Sequence, residues 1–153
     1  ACIQFVATRT TEGKHLKQDL VEKLHHMRDN VNKVEQRAPQ IIVEYRSKLM
    51  EKVSELLGDT QIDEARLSTE IILFADKICT DEETVRLKSH ITSMLNALEG
   101  SEGIGRKLDF IAQEMNREAN TILSKSNDLE TSDIAIELKT EIEKVREQIQ
   151  NIE

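Results

Sequence analysis

The stretch LDFIAQEMNREANTILSKS, residues 108–126, decides the fold class of this chain. Its apolar residues recur every three or four positions, which is the spacing of one face of an α-helix. That face consists of Leu108, Ile111, Ala112, Met115, Ala119, Ile122, Leu123 and Ser126. The stretch therefore predicts an amphipathic helix with one side in a core.

Amides and charges crowd the other side of this predicted helix. They form a band of Asp109, Gln113, Asn116, Asn120, Ser124 and Asn127, with Arg117 at its edge and Glu114, Glu118 and Lys125 further round. Asn is a poor helix former, and Lys or Glu would serve solubility better. Amides both donate and accept hydrogen bonds, so the band suits RNA sugars, phosphates, base edges or metal-bound water. It equally suits packing against polar groups of a neighbouring helix, where it would set the register.

The same periodicity extends over most of the chain, while residues 1–10 are ambiguous. It predicts helices over 11–38, 40–57, 62–79, 82–98, 106–127 and 132–152. Pro39 either kinks the first helix or opens the second, Gly58 ends the second, and the glycine-rich segment 99–105 is a loop. We therefore expect an all-α fold: a helical bundle of about six helices, whose first and last are long and coiled-coil-like.

Composition narrows the possible functions. The 153 residues suffice for one domain, and their net charge of -8 makes an open nucleic-acid platform unfavourable, so any RNA contact needs a local site, a metal ion or an assembly. Cys2 and Cys79 have no metal-binding spacing and suit a reducing cytoplasm. No signal peptide or membrane-spanning run is evident. A nucleophile elbow, a P-loop and a dinucleotide fingerprint are also missing from the sequence.

Two stretches at the C-terminal end resemble the YicC/YloC family of bacterial proteins. They are GRKLDFIAQEMNREANTILSKS (105–126) and IELKTEIEKVREQIQNIE (136–153). Further upstream, RTTEGKHL (9–16), DEARLSTE (63–70) and EETVRLKSH (82–90) are similar to other motifs of that family. The resemblance covers the whole chain and corresponds to the C-terminal half of the family, so residues 1–153 are expected to be a single helical domain of a longer protein.

The resemblance implies a function that composition and spacing do not. Members of the family are stress-associated, divalent-cation-dependent endoribonucleases that assemble into ring-like oligomers. This implies RNA, further copies of the chain and its own N-terminal half as partners, Mg²⁺ or Mn²⁺ as cofactor, and the bacterial cytoplasm as location. Three positions depart from the family pattern: Thr10 and Cys79 replace usual acids, and Thr84 replaces a usual Leu.

The candidate residues follow from this resemblance together with their chemistry. For catalysis we select side chains that bind a cation, transfer a proton or neutralise phosphate: Asp109, Glu114, Arg117, Glu118 and His90. For RNA binding we select Arg106, Lys107, Gln113, Asn116, Asn120, Thr121, Ser124 and Lys125. For the metal we select the carboxylates of Glu82, Glu83 and Glu12, since hard cations prefer oxygen ligands.

Each choice has an ordinary structural alternative. Glu83, Arg86 and His90 are spaced three and four apart and would also form a simple ion-pair ladder. His15, His25 and His26 more often belong to a solvated helix flank, whereas Gly13 beside Glu12 permits close backbone approach. The whole domain could instead be a non-catalytic helical module that oligomerises and presents RNA to an N-terminal half.

Overall fold

A computed structural model describes residues 2–58, 61–100 and 103–152. This part of the chain is all-α, as expected, but it contains five helices rather than six. They are α1 (Cys2–Leu57), α2 (Glu64–Ile78), α3 (Asp81–Leu98), α4 (Gly105–Lys125) and α5 (Leu129–Gln150). Within the described ranges, no helix has the length and apolar character needed to cross a membrane.

The difference in number arises in α1, which runs without interruption through Pro39. One helix of 56 residues, about 84 Å long at 1.5 Å per residue, therefore replaces both predicted N-terminal helices. It also includes residues 2–10, whose structure the sequence leaves ambiguous. Pro39 is exposed, so its ring lies on the solvent side and only one backbone hydrogen bond is lost. Gly58 ends the helix as predicted, with a φ of 58° and its N–H donating to Ser54 O at 3.0 Å.

Four helices form the bundle: the middle of α1 together with α3, α4 and α5. From α1 only the section between Leu20 and Val34 contributes buried residues. The core has no aromatic residue and consists of Leu, Ile, Val, Met and Ala side chains, including Leu24, Met27, Leu87, Ile91, Leu108, Met115, Ile122, Leu138 and Ile142. The predicted apolar stripes thus meet in one core, and both ends of α1 project beyond it.

The helix α2 lies outside this bundle. It contacts the C-terminal part of α1, has no buried residue, and is fixed there in part by the stacked rings of Tyr45 and Phe74, whose centroids are 3.7 Å apart. Its apolar stripe is only half-buried because, in the described part of the chain, α1 is the one helix that packs against it. The α1–α2 arm consequently leaves Val43, Met50, Leu56, Leu57, Ile72 and Leu73 exposed.

An ionic cluster fastens the turn between α4 and α5 to α1. Asp128 caps α5 by accepting from the Thr131 N–H at 3.0 Å, and its carboxylate also accepts from Arg37 Nη2 at 2.9 Å and Nε at 3.2 Å. Ser126, the last residue of the SKS motif, hydrogen-bonds to Ser132 Oγ at 2.9 Å. These contacts set where α4 ends and therefore where Lys125, just before the turn, is held.

Candidate functional site

Polar residues of α3 and α4 meet along one edge of the bundle. We call this edge the α3–α4 seam; it consists of Glu82, Glu83, Arg86 and His90 on α3, and Glu114, Glu118, Thr121 and Lys125 on α4. Lys125 Nζ lies 2.7 Å from Glu83 Oε1, and Arg86 Nη1 lies 4.0 Å from Glu118 Oε1. These two contacts show that the helices are antiparallel, and the register places His90 one turn further along, opposite Glu114.

The local sequence explains why these residues face one another. Leu87 and Ile91 on α3, and Met115, Ala119 and Ile122 on α4, are buried in the core between the two helices. Because a residue three or four positions away lies beside such a core position, the polar residues come to the edge of the contact. Predicted residues that are far apart in sequence, such as Glu82 and Lys125, therefore belong to one surface.

The seam contains two carboxylates that are largely withdrawn from water. The side chains of Glu83 and Glu118 are 7% and 8% exposed. Burying a carboxylate is costly unless it is paired, and each of these has a cation within 4.0 Å. The hydrogen bond to Glu83 raises the pKa of Lys125 above its usual value, so this ammonium stays charged. Glu82 forms an ion pair with Arg86 on its own helix.

One oxygen of the seam lacks a partner. Glu83 Oε1 accepts from Lys125, but Glu83 Oε2 is buried and has no hydrogen bond within the described part of the chain. Buried polar atoms are normally hydrogen-bonded, and exceptions often mark functional sites or unplaced water and ions. Glu83 Oε2 therefore has unused hydrogen-bonding capacity beside Lys125.

The outer face of α4 continues from this seam into solvent. It consists of six exposed residues: Arg106, Phe110, Gln113, Arg117, Asn120 and Ser124. Asn116 and Thr121 are half-buried at its margins, and Lys107 is exposed on the side of the seam. Most of the predicted amide band thus faces water rather than a neighbouring helix.

Asp109 has a different environment from the other predicted catalytic residues. It lies on the α5 side of α4, where Oδ1 accepts from Arg146 Nε at 2.9 Å and Oδ2 accepts from Gln113 Nε2 at 2.9 Å. The hydrogen bond to Asp109 raises the pKa of Arg146. Asp109 thus joins α4 to α5, and its carboxylate is already paired on both oxygens.

Glu12 lies far from the other two predicted metal ligands. It lines a cleft of about 740 Å³ at the opposite end of α3, together with Arg9, Gly13, Gly105 and Asn151. Glu82 and Glu83 begin α3, whereas Leu98 at its end borders this cleft, a separation of about 24 Å along the helix. Within one chain, Glu12, Glu82 and Glu83 therefore do not surround a common ion. The cleft does bring together three of the motif stretches quoted above.

A group that the sequence did not single out does have metal-binding geometry. One ligand atom each from His26, Glu137 and Glu141 lies within 4.8 Å of the others, the one such group among the described residues. Sequence alone placed His26 on a solvated flank. The 2.5 Å contact between His26 Nδ1 and Glu141 Oε1 joins α1 to α5, which already accounts for the arrangement as an interhelical polar contact.

The structure also shows the environments of Phe110 and of the three residues that depart from the family pattern. Phe110 is exposed although it is apolar, and its position outside the core stripe is a signal that the sequence already contains. Cys79 is exposed and enters the seam only through its carbonyl oxygen, which accepts from Lys125 at 3.1 Å. Thr84 is buried and its hydroxyl donates to Asp81 O. Thr10 is exposed and likewise bonds within its own helix, to Val6 O.

Comparison with known proteins identifies the family. Residues 34–153 match the model of a family described as Endoribonuclease YicC-like, C-terminal. The chain belongs to this family. It is 44% identical over 154 residues to a protein of Clostridioides difficile (strain 630) named probable endoribonuclease YicC, covering 100% of this chain and 53% of that relative.

A second relative supports the same assignment. It is a protein of Haemophilus influenzae (strain ATCC 51907 / DSM 11121 / KW20 / Rd), also named probable endoribonuclease YicC, with 37% identity over 149 residues. The match covers 97% of this chain and 51% of the relative. The chain thus spans about half the length of these curated relatives. The resemblance inferred from the sequence motifs is confirmed.

Proposed function

We propose that this chain carries the catalytic surface of an endoribonuclease that cuts single-stranded RNA with the help of a divalent cation. The observation on which this proposal depends is the unpartnered, buried Glu83 Oε2 beside Lys125, at the border of the exposed amide-rich face of α4. Membership of the YicC-like family and the names of its relatives supply the reaction class.

The charge of each seam residue suits it to a different part of the cleavage reaction. Cleavage of a phosphodiester requires a base for the attacking oxygen, positive charge on the phosphate and a proton for the leaving oxygen. Glu83 Oε2 accepts the proton of the nucleophile, and Arg86 and Lys125 oppose the charge that develops on the phosphate. His90, half-buried on the same edge, carries an imidazole that can donate a proton to the leaving oxygen.

A divalent cation at the seam would be shared with the substrate. Mg²⁺ is usually held by one or two carboxylates together with substrate phosphates rather than by a closed cage of protein ligands. Glu118 would supply a carboxylate oxygen, with Glu82 at the rim, and Glu83 Oε2 would remain the base. Such a cation lowers the pKa of bound water and offsets phosphate charge. This arrangement leaves Glu12 with no direct part in the ligand set.

The face of α4 would orient the RNA. Arg106, Lys107 and Arg117 are exposed and give this face local positive charge in a chain whose net charge is -8. Gln113, Asn116 and Asn120 offer both donors and acceptors to the sugar-phosphate backbone, and Thr121 and Ser124 add hydroxyls. Asp109 supports this face indirectly, because it holds Gln113 through a 2.9 Å hydrogen bond.

The test is cleavage of an end-labelled single-stranded RNA in the presence of Mn²⁺, Mg²⁺ or a chelator. Glu83→Gln keeps a hydrogen bond to Lys125 but removes the base, so we expect cleavage to fall at least about 100-fold, the lower range for a positioned proton-transfer group. Glu51→Gln, an exposed position on the α1–α2 arm, is the control. Full cleavage by Glu83→Gln, or full cleavage in chelator, would refute the corresponding part of the proposal.

A second candidate function is assembly, and the α1–α2 arm favours it. The arm exposes Leu56, Ile72 and Leu73, and the other end of α1 exposes Ile3, Phe5 and Val6. Exposed apolar patches of this kind mark interaction surfaces. The candidate partners are further copies of the chain and its own N-terminal half, in the bacterial cytoplasm. Light scattering of Leu73→Glu tests this: a lower mass with unchanged cleavage would separate assembly from catalysis.

A further inference from the structure

Phe110 is an exposed aromatic residue that the packing of the chain does not explain. Its side of α4 is opposite the core, and the residue is 63% exposed. The chain has only three Phe and one Tyr, and no Trp. Two of the others stack on each other, Tyr45 on Phe74, and Phe5 lies under the Arg9 guanidinium at 5.4 Å. Within the described residues, no aromatic ring stacks on Phe110 and no cation lies over its face.

The surroundings of Phe110 are cationic and polar rather than apolar. Arg106 lies four residues before it, Gln113 three residues after it and Arg117 seven residues after it, so all four share one stripe of α4. This stripe is about 16 Å long. The Arg117 side chain is 75% exposed, with Nη1 3.9 Å from Glu114 Oε2, and the neighbouring Asp109 carboxylate is occupied by Arg146. The stripe thus presents a flat apolar ring between two cations.

This combination fits a single-stranded nucleic acid better than an apolar protein surface. Proteins that bind single strands pair a positively charged track for the backbone with aromatic rings on which bases stack. An apolar docking site would bury Phe110 among other apolar residues, whereas its stripe neighbours are two Arg and one Gln. Charge complementarity therefore favours RNA as the occupant.

We propose that Phe110 is a base-stacking platform that holds one nucleotide of the RNA on α4, next to the seam. Arg106 and Arg117 contact the phosphates on either side, and Gln113 contacts the sugar or the base edge. Phe110 lies about 22 Å before Lys125 along α4, so the stack anchors the strand several nucleotides away from the phosphodiester that meets Lys125 and Glu83. This inference rests on the proposed endoribonuclease function and adds the subsite that positions the strand.

A single introduced tryptophan tests the stack directly. Because the chain has no Trp, Phe110→Trp introduces a unique fluorophore at the platform, and Phe5→Trp introduces one at a residue of similar exposure, 64%. Addition of a single-stranded oligoribonucleotide should strongly quench the fluorescence of the Phe110→Trp variant and only weakly quench that of Phe5→Trp. An oligomer of the same length with abasic sites has the same charge but no ring, and we expect it to leave the fluorescence of Phe110→Trp unchanged.

A binding measurement accompanies the fluorescence. Phe110→Leu removes the ring but keeps an apolar side chain, and we expect its affinity for single-stranded RNA to fall about tenfold, within the range known for base stacking. Phe110→Tyr should retain the affinity, and Phe5→Leu is the matched control. Arg117→Ala should weaken binding at all sequences and reduce its dependence on salt.

The outcomes separate this inference from the function on which it rests. Unchanged affinity in Phe110→Leu together with normal cleavage overturns the stacking platform and leaves the endoribonuclease proposal intact. Absence of both RNA binding and cleavage in the unmodified chain overturns the proposed function itself. A change of oligomeric mass in Phe110→Leu without any change in RNA affinity makes the face a protein contact, and also overturns the inference.

Discussion

Asp128 provides a quantitative test of how the bundle is held together. Its carboxylate accepts two hydrogen bonds from Arg37 and two from Thr131, and both Asp128 and Arg37 have side chains that are only 14% exposed. The hydrogen bonds from Arg37, followed by those from Thr131, lower the pKa of Asp128 from 3.8 to about 2. The ionised carboxylate is therefore favoured by the folded state.

The size of this contribution follows from linkage. Each pKa unit is worth about 1.36 kcal/mol, so the difference between 3.8 and about 2 corresponds to roughly 2.4 kcal/mol. Water and salt screen part of the pair, which leaves about 1.5 kcal/mol. Because the pKa is lower in the folded state, this stability is present above pH 3.8 and is lost as the pH falls toward 2.

The perturbation is Asp128→Asn, which keeps a helix-capping side chain but removes the charge. In urea unfolding at pH 7 we expect a loss of about 1.5 kcal/mol in the free energy of unfolding, and the difference from the unmodified chain should shrink as the pH falls below about 4. Glu44→Gln is the control: Glu44 also binds Arg37, at 2.7 Å, but it is half exposed and should cost less than about 1 kcal/mol. Equal stability at pH 7, or a difference that persists at about pH 2, would refute the reasoning.

Three further predictions concern stability. Lys125→Met should lower the free energy of unfolding by about 3 kcal/mol because it leaves Glu83 buried and unpaired, and the double variant Lys125→Met/Glu83→Gln should recover much of that loss in urea unfolding; additive losses would contradict this. Pro39→Ala should raise the free energy of unfolding by up to about 3 kcal/mol and raise the helix content measured by circular dichroism. No gain in either quantity would show that α1 is broken at that residue. Gly13→Ala should gain up to about 1 kcal/mol, since a Cβ there meets no atom within 4 Å; a simultaneous loss of RNA cleavage would show that the cleft around Glu12 needs the glycine.

Local patterns were sufficient to predict most of the helical structure. The limits of α3 and α4 agree with the sequence to within two residues, because their core stripes and terminal residues are read within a single helix. The sequence did not decide whether α1 continues through Pro39. It continues because the helix on either side outweighs the cost of one lost backbone hydrogen bond. The position of α2 outside the bundle was not predictable either, because its apolar stripe is as regular as that of a core helix.

For the candidate site, too, the sequence determined some features and the tertiary structure determined others. The sequence determined that α4 is an amphipathic helix with an amide-rich polar side and that the chain is a YicC-like C-terminal part, because periodicity and motifs are properties of residues close together in the chain. Only the tertiary structure decided that Glu83 meets Lys125, that Asp109 is bound to Arg146, and that Glu12 lies at the other end of α3. The partner of a charged side chain depends on the register of packed helices, and that register is set by interdigitating core side chains from distant parts of the chain.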